Sequence, residues 1–121
     1  MKYPIQVKWL YAPKEDQDGQ RILVDRLWPR GRDRDELAVD DWQHDPAPSS
    51  ALRRRASTES LNEKSFARLY RDELALHPER LNSLRAQAQR GPITLLTAER
   101  EPEKSPAWVL KTLLEQQPLS D

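Results

Sequence analysis

Hydrophobic residues follow two different periods along the chain, and each period predicts a different kind of secondary structure. Residues 5–10 place apolar side chains at every second position, which is typical of a half-buried strand. Residues 22–28 begin with an uninterrupted apolar run, which favours a central strand covered on both faces. The same reasoning predicts a strand at 92–97 and a short one at 37–42.

Helical spacing of apolar residues is found mainly in the second half of the chain. A long helix is predicted over 60–76, with Phe66, Leu69 and Tyr70 facing the sheet. Further predicted segments are helices at 50–56, 78–90 and 106–116 and a frayed tail at 117–121. Strands separated by helices indicate an α/β fold, a small, mainly parallel sheet flanked by helices, in one domain of residues 1–121.

The composition limits how large the core can be. Of the 121 residues, 36% are hydrophobic and 33% charged, a lean apolar content for a globular protein. A chain of this length buries roughly two thirds of its unfolded surface, which is enough for one core. We therefore expect the core to depend on the largest side chains, which are Trp9, Trp28, Trp42, Phe66, Tyr70 and Trp108.

Charge and cysteine content exclude several classes of function. The formal net charge is zero, from 20 basic and 20 acidic residues. Because neutralising phosphates gives duplex-DNA binders most of their affinity, this balance argues against nucleic acid as the main partner. The absence of cysteine excludes disulfides, thiolate zinc sites and a cysteine nucleophile. His44 and His77 are too far apart to form a metal motif, so we expect no metal and no cofactor.

Apolar segments indicate where the protein is found. No apolar run approaches the roughly 18 residues of a membrane span, so we expect no membrane partner. The first residues lack the apolar region of a secretory signal. We therefore expect a cytoplasmic protein, whose oligomeric state the sequence does not indicate.

The densest group of chemically versatile side chains follows the predicted strand at 22–28. Ligands of parallel sheets bind beyond the carboxyl ends of the strands, where Arg26 and Arg30 would provide two guanidinium groups. The turn made by Pro29 and Gly31 would bring Arg30 back towards Arg26, while Asp25 would point to the opposite face of the sheet. The predicted ligand-binding residues are Asp25, Arg26, Trp28, Arg30 and Arg53.

A purely structural role for these arginines is the alternative interpretation. Arg26 and Arg30 could each pair with a nearby carboxylate, and such partly buried pairs are common. The candidate partners are Asp25, Asp33, Asp40 and Asp41. Full pairing with no cavity nearby would make the segment a structural corner.

Residues 24–31, which read VDRLWPRG, resemble the hallmark of the YeaO-like proteins, the domain-of-unknown-function family 488 (DUF488). Other segments agree in order and spacing, so that the resemblance covers about residues 5 to 115. They are Trp42 with Ala47-Pro48-Ser49 and Leu52-Arg53, Phe66 with Tyr70 and Glu73-Leu74, residues 91–96 and residues 107–110. The resemblance implies the fold and not a function, because no role is established for the family.

Two segments depart from the pattern that the resemblance implies. Family members often have a histidine after the Leu-Arg helix, where this chain has residues 54–60 without one. They also often have a His-Asn pair before the last helix, where this chain has residues 101–106 without either residue. If those histidines perform acid–base chemistry in relatives, this chain has lost it.

The sequence therefore supports two hypotheses of different classes and leaves open whether the protein is an enzyme. The first is an arginine-lined pocket for a small anionic ligand that bears phosphate or carboxylate. The sequence indicates neither the identity of this ligand nor a reaction. The second is a non-catalytic interaction module that binds a protein or nucleic-acid partner through residues 46–71. That stretch has six Lys or Arg against two Glu.

Overall fold

Four strands form one parallel sheet within residues 3–116, the part of the chain that the computed structural model describes. The strands are β1 (Ile5–Trp9), β2 (Gln20–Leu23), β3 (Asp41–Trp42) and β4 (Ile93–Thr97). Their order in the sheet is β1-β4-β2-β3, so the fourth strand along the chain lies between the first and the second. The predicted α/β fold with a parallel sheet is confirmed.

Five α-helices connect or follow these strands within the same residues. They are α1 (Arg34–Leu37), α2 (Ser50–Thr58), α3 (Glu63–Leu76), α4 (Asn82–Arg90) and α5 (Pro106–Gln116). Local side chains determine where two of them begin: Ser49 accepts a hydrogen bond from the backbone N–H of Leu52, and Asn62 accepts one from Ser65. Pro78 opens a short 3-10 helix, Pro78–Leu81, and α4 follows it. The predicted tail at 117–121 lies outside the described residues.

One face of the sheet contacts the four longer helices among the described residues. Side chains of alternate strand positions, such as Ile22 and Leu95, pack there against Leu84 of α4 and Leu110 of α5. Tyr70 is completely buried, and Phe66 and Leu69 pack beside it, as the helical spacing predicts. This face therefore holds the main hydrophobic core.

The other face is covered by loops and the single turn α1. A smaller apolar cluster there contains Leu10, Leu23, Leu37, Val39 and Leu96, with Tyr11 and Trp28 at its edge. Next to the cluster lies a buried ion pair between Arg21 and Asp18, and Lys8 donates to the same carboxylate at 3.1 Å. The guanidinium of Arg21 also donates to the carbonyls of Ala12, Leu37 and Ala38, so each of its three nitrogens makes a hydrogen bond.

Three sequence-based expectations are wrong in detail. The strand predicted at 22–28 ends at Leu23, because the chain bends after Val24. The strand predicted at 37–42 is reduced to two residues, since Leu37 ends α1 and Ala38 adopts a left-handed conformation with φ of 53°. Trp42 and Trp108 do not belong to the core, for 37% and 40% of their respective surfaces are exposed.

No helix among residues 3–116 is long and apolar enough to cross a membrane.

Candidate functional site

A cleft of about 1050 Å³ lies at the carboxyl ends of β2 and β4. Its floor is formed by residues that directly follow these strands, including Val24 and Ala98, and its walls by α2, α3 and the start of α5. Ligand sites of parallel α/β sheets occur at this edge, and small-molecule pockets usually measure about 300–1,000 Å³. The cleft is therefore the candidate functional site.

Three arginines line the cleft among the described residues, each from a different element. Arg26 follows β2, Arg53 belongs to α2 and Arg71 to α3. Within residues 3–116, their guanidinium groups make no ion pair and no hydrogen bond. Because guanidinium groups form bidentate hydrogen bonds with phosphates and carboxylates, three unpaired ones around a concavity can capture an anion.

Asp25 contributes a carboxylate to the same cleft. Its Oδ2 accepts a 2.8 Å hydrogen bond from the backbone N–H of Ala98, which links the end of β2 to the end of β4. Burial raises the pKa of Asp25, although the hydrogen bonds from Ala98 and the Thr97 side chain and the charge of Arg53 act in the opposite direction. The expectation that Asp25 and Arg26 point to opposite faces is wrong, because the strand has ended before them and both border the cleft.

The rim of the cleft near α5 has a different electrostatic character. Glu63, Glu99, Glu103 and Lys104 line this side. Lys104 is held by Glu101 at 3.3 Å, and this hydrogen bond, with the charges of Glu101 and Glu63, raises its pKa. Glu63 and Glu103 of the rim thus act on a nearby lysine, whereas the three arginines follow β2 or belong to α2 and α3.

Apolar side chains cover much of the remaining wall. Leu27, which lines the cleft, is 70% exposed. Phe66 and Trp108 line the cleft from α3 and α5. The site therefore combines charged groups with surfaces that can contact a carbon skeleton.

Two of the predicted site residues lie outside the cleft. Trp28 packs on the opposite face of the sheet, 5.7 Å from Trp42 between ring centroids, and its indole N–H donates to the Arg32 carbonyl at 2.9 Å. Arg30 is exposed and does not line the cleft. The turn before Gly31, whose φ is 75°, does not return Arg30 to Arg26. Asp25, Arg26 and Arg53 are the predicted residues that the fold brings together.

Arg71 is the site residue that sequence reasoning missed. It follows Tyr70 and lies one helical turn after Ala67, so it borders the apolar stripe of α3. The sequence feature that could have indicated Arg71 is a basic residue at the edge of an apolar, core-facing stripe. It could not be interpreted from sequence, because the position of the stripe relative to β2 depends on the tertiary fold.

A smaller cavity of about 570 Å³ adjoins the cleft and shares Arg26 and Leu27 with it. His44 lines it, and this residue is exposed with its Nδ1 3.4 Å from Asp45. Ser49 and Arg80 also line it, and both bind Glu73: Ser49 through its backbone N–H and hydroxyl, Arg80 through an ion pair of 3.3 Å. These contacts give the polar side chains of the cavity a partner, with the exception of Arg26. Among residues 3–116 there is no group of three or more His, Cys, Asp or Glu side chains that could hold a metal ion.

Comparison with known proteins gives one consistent family. The family described as "Inactive DUF488-N3 subclade" matches residues 4–120. The uncharacterized protein YeaO of Escherichia coli is 41% identical over 106 residues, which cover 88% of this chain and 92% of that protein. Uncharacterized proteins of Mycobacterium bovis and Mycobacterium tuberculosis are each 37% identical over 110 residues, 91% of this chain and 92% of the relative. No solved structure matches the chain significantly.

Proposed function

This chain belongs to the YeaO-like DUF488 family. We propose that it binds a small anionic molecule, without transforming it, in the cleft beyond β2 and β4. The observation that carries the proposal is the set of three arginines that line the cleft without an ion pair or a hydrogen bond among the described residues. All three arginines are exposed, so water solvates their charges in the free protein. An anion in the cleft would replace that water with bidentate hydrogen bonds from more than one guanidinium group.

The absence of catalysis is supported by what the sequence lacks. Residues 54–60 and 101–106 contain no histidine, although the family resemblance leads us to expect one in each segment. A histidine is the side chain that most often transfers protons near neutral pH. The description of the matching family as inactive agrees with a binding role.

Isothermal titration with inorganic phosphate and with small phosphomonoesters tests the proposal. We expect binding by the wild-type chain and a loss of about tenfold or more in affinity for Arg53→Ala, since each charge-assisted contact contributes about 1.5–3 kcal/mol. Arg53→Lys keeps the charge but not the fork, so it should fall between the two. Arg71→Ala should behave like Arg53→Ala.

The matched control is Arg54→Ala. Arg54 is the next residue of α2, is exposed, and does not line the cleft. Its removal changes the net charge by the same amount and should leave the affinity within about twofold. If Arg54→Ala and Arg53→Ala weakened binding equally, the effect would be one of overall charge, and the proposed site would be wrong.

The alternative, an interaction module using residues 46–71, makes a different prediction. Nucleic-acid affinity falls steeply with salt because condensed counterions are released on binding. Measurement of single-stranded and duplex oligonucleotide binding between low and moderate salt therefore separates the two functions. Tight oligonucleotide binding that Arg54→Ala weakens as much as Arg53→Ala would favour the module, since both arginines belong to the basic stretch.

A further inference from the structure

An acidic group lies among the basic groups of the proposed anion site. Asp25 lines the cleft together with Arg26 and Arg53, and the charge of Arg53 acts on its carboxylate. An ionised carboxylate repels a second anion, so its presence weakens the binding of a bare phosphate or carboxylate. We infer that Asp25 is a specificity-determining residue, and that the ligand carries a hydroxyl or amino group beside its anionic group. This inference depends on the proposed anion-binding function.

The orientation of Asp25 is fixed by the ends of two strands. The 2.8 Å hydrogen bond from the backbone N–H of Ala98 holds Oδ2. The side chain of Thr97, which is completely buried, provides a second hydrogen bond. A carboxylate so held cannot swing away when an anion enters the cleft. It therefore either repels the ligand or binds a part of it.

The carboxylate retains the capacity to accept from a ligand. Two carboxylate oxygens offer about four acceptor positions, and the contacts with Ala98 and Thr97 use two of them. Arg26 and Arg53 are donors only and cannot satisfy a hydroxyl proton. A ligand with an anionic group for the arginines and a hydroxyl or amino donor for Asp25 matches both kinds of group.

The chemical class that fits best is a phosphorylated polyol or sugar. Its phosphate would bind the arginines, its hydroxyl groups would donate to Asp25, and its carbon skeleton would contact Leu27 and Phe66. A charged acceptor discriminates strongly between a substrate with a hydroxyl and one without it, because the unmatched acceptor is left desolvated.

The experiment compares two ligands that differ only in their hydroxyl groups, glycerol 3-phosphate and n-propyl phosphate, with inorganic phosphate as a third. We expect the wild-type chain to bind glycerol 3-phosphate about tenfold more tightly than n-propyl phosphate, the effect of one hydrogen bond to a charged group. Asp25→Asn keeps the shape and an acceptor for Ala98 but removes the charge. It should bind n-propyl phosphate and inorganic phosphate more tightly and lose most of the preference.

Thr97→Val serves as a second variant, because it leaves the charge of Asp25 in place and removes one of its two anchors. In Thr97→Val, the preference for glycerol 3-phosphate over n-propyl phosphate should lie between that of the wild type and that of Asp25→Asn. An unchanged preference in a folded Asp25→Asn or Thr97→Val protein overturns the inference, as does equal binding of the two phosphomonoesters by the wild type. Both results leave anion binding intact. If none of the three ligands binds, the proposed function itself is wrong.

Discussion

Arg21 and Asp18 form an ion pair with an Nη1–Oδ2 distance of 2.8 Å, and 1% and 0% of their respective surfaces are exposed. Breaking a buried pair by removing one partner typically costs about 3–5 kcal/mol, because the other charge stays buried without compensation. We predict that Asp18→Asn lowers the free energy of unfolding by about 3 kcal/mol at neutral pH, measured by urea denaturation.

The double variant Asp18→Asn with Arg21→Met provides the control for that prediction. It removes both charges, so no uncompensated guanidinium stays in the interior. Because Arg21→Met also removes the hydrogen bonds to the carbonyls of Ala12, Leu37 and Ala38, the comparison is made with Arg21→Met alone. Asp18→Asn should cost less stability in the Arg21→Met background than in the wild type. Equal costs in the two backgrounds would show that charge compensation does not determine the effect.

Asp18 also makes a predictable contribution to acid stability. Burial opposes the ionisation of the Asp18 carboxyl group. Hydrogen bonds from the Arg21 side chain, the Glu15 backbone and the Lys8 side chain outweigh burial, so the pKa of Asp18 lies below the usual 3.8. The stabilisation is therefore present above pH 3.8 and is lost as the pH falls through the folded-state pKa. The stability difference between wild type and Asp18→Asn should shrink as the pH is lowered below 3.8.

Asp25 should have the opposite pH dependence. Burial raises its pKa above the usual 3.8, so the folded state holds its proton to a higher pH than the unfolded state does. Its ionisation destabilises the fold progressively as the pH rises through 3.8 to the folded-state pKa. The melting temperature of Asp25→Asn minus that of the wild type should therefore increase from pH 3.5 to pH 7. Asp72→Asn, at an exposed position of α3, is the matched control.

Gly19 is required where β2 begins beside β4. Its φ is 63°, and a Cβ at this position would lie 2.0 Å from the carbonyl oxygen of Pro92, which also accepts the hydrogen bond from Gln20. We predict that Gly19→Ala destabilises the protein by more than about 3 kcal/mol or prevents folding, because the sheet would have to separate. Gly31→Ala controls for backbone conformation: its φ is 75°, but nothing lies within 4 Å, so it should cost only about 1–2 kcal/mol.

Tyr70 connects the long helix to the wall of the cleft. Its buried hydroxyl donates to the carbonyl of Pro46, and Ala47 and Pro48, which follow, line the cleft. Tyr70→Phe keeps the ring and leaves a buried carbonyl without its donor, so we expect a loss of about 1–3 kcal/mol in thermal denaturation. Tyr3→Phe, at an exposed ring, should have no measurable effect. Equal losses of thermal stability in Tyr70→Phe and Tyr3→Phe would mean that the hydrogen bond to Pro46 does not stabilise this part of the cleft wall.

The sequence was most informative where one physical requirement dominated. Residues 93–97 are apolar apart from two threonines and form a strand buried at every position, and the apolar stripe of 63–76 forms α3. In both cases burial against the sheet alone is sufficient to determine the structure. The expected position of Arg26, beyond the carboxyl end of β2, followed from the arrangement of parallel sheets.

Residues 24–31 were less predictable, because tertiary contacts determine where the strand ends. The bend after Val24 coincides with the hydrogen bond from Ala98 to Asp25, and no local pattern indicates a partner 73 residues away. Trp28 then packs on the loop-covered face, and Arg30 stays outside the cleft. Trp42 was expected in the core from its size, but it lies on a two-residue edge strand, where it contacts Trp28 and 37% of its surface stays exposed.

The strand order has a consequence for the synthesis of the chain on the ribosome. β4 lies between β1 and β2, and it is also the last strand to be translated. A nascent chain that ends before residue 93 has no partner with which β1 can pair, although β1 was made first. Among the strands of residues 3–116, the only pairing available until then is the short one between β2 and β3. The sheet therefore assembles by insertion of a later segment between two earlier ones, and the backbone of β1 has no partner in the sheet until β4 has been made.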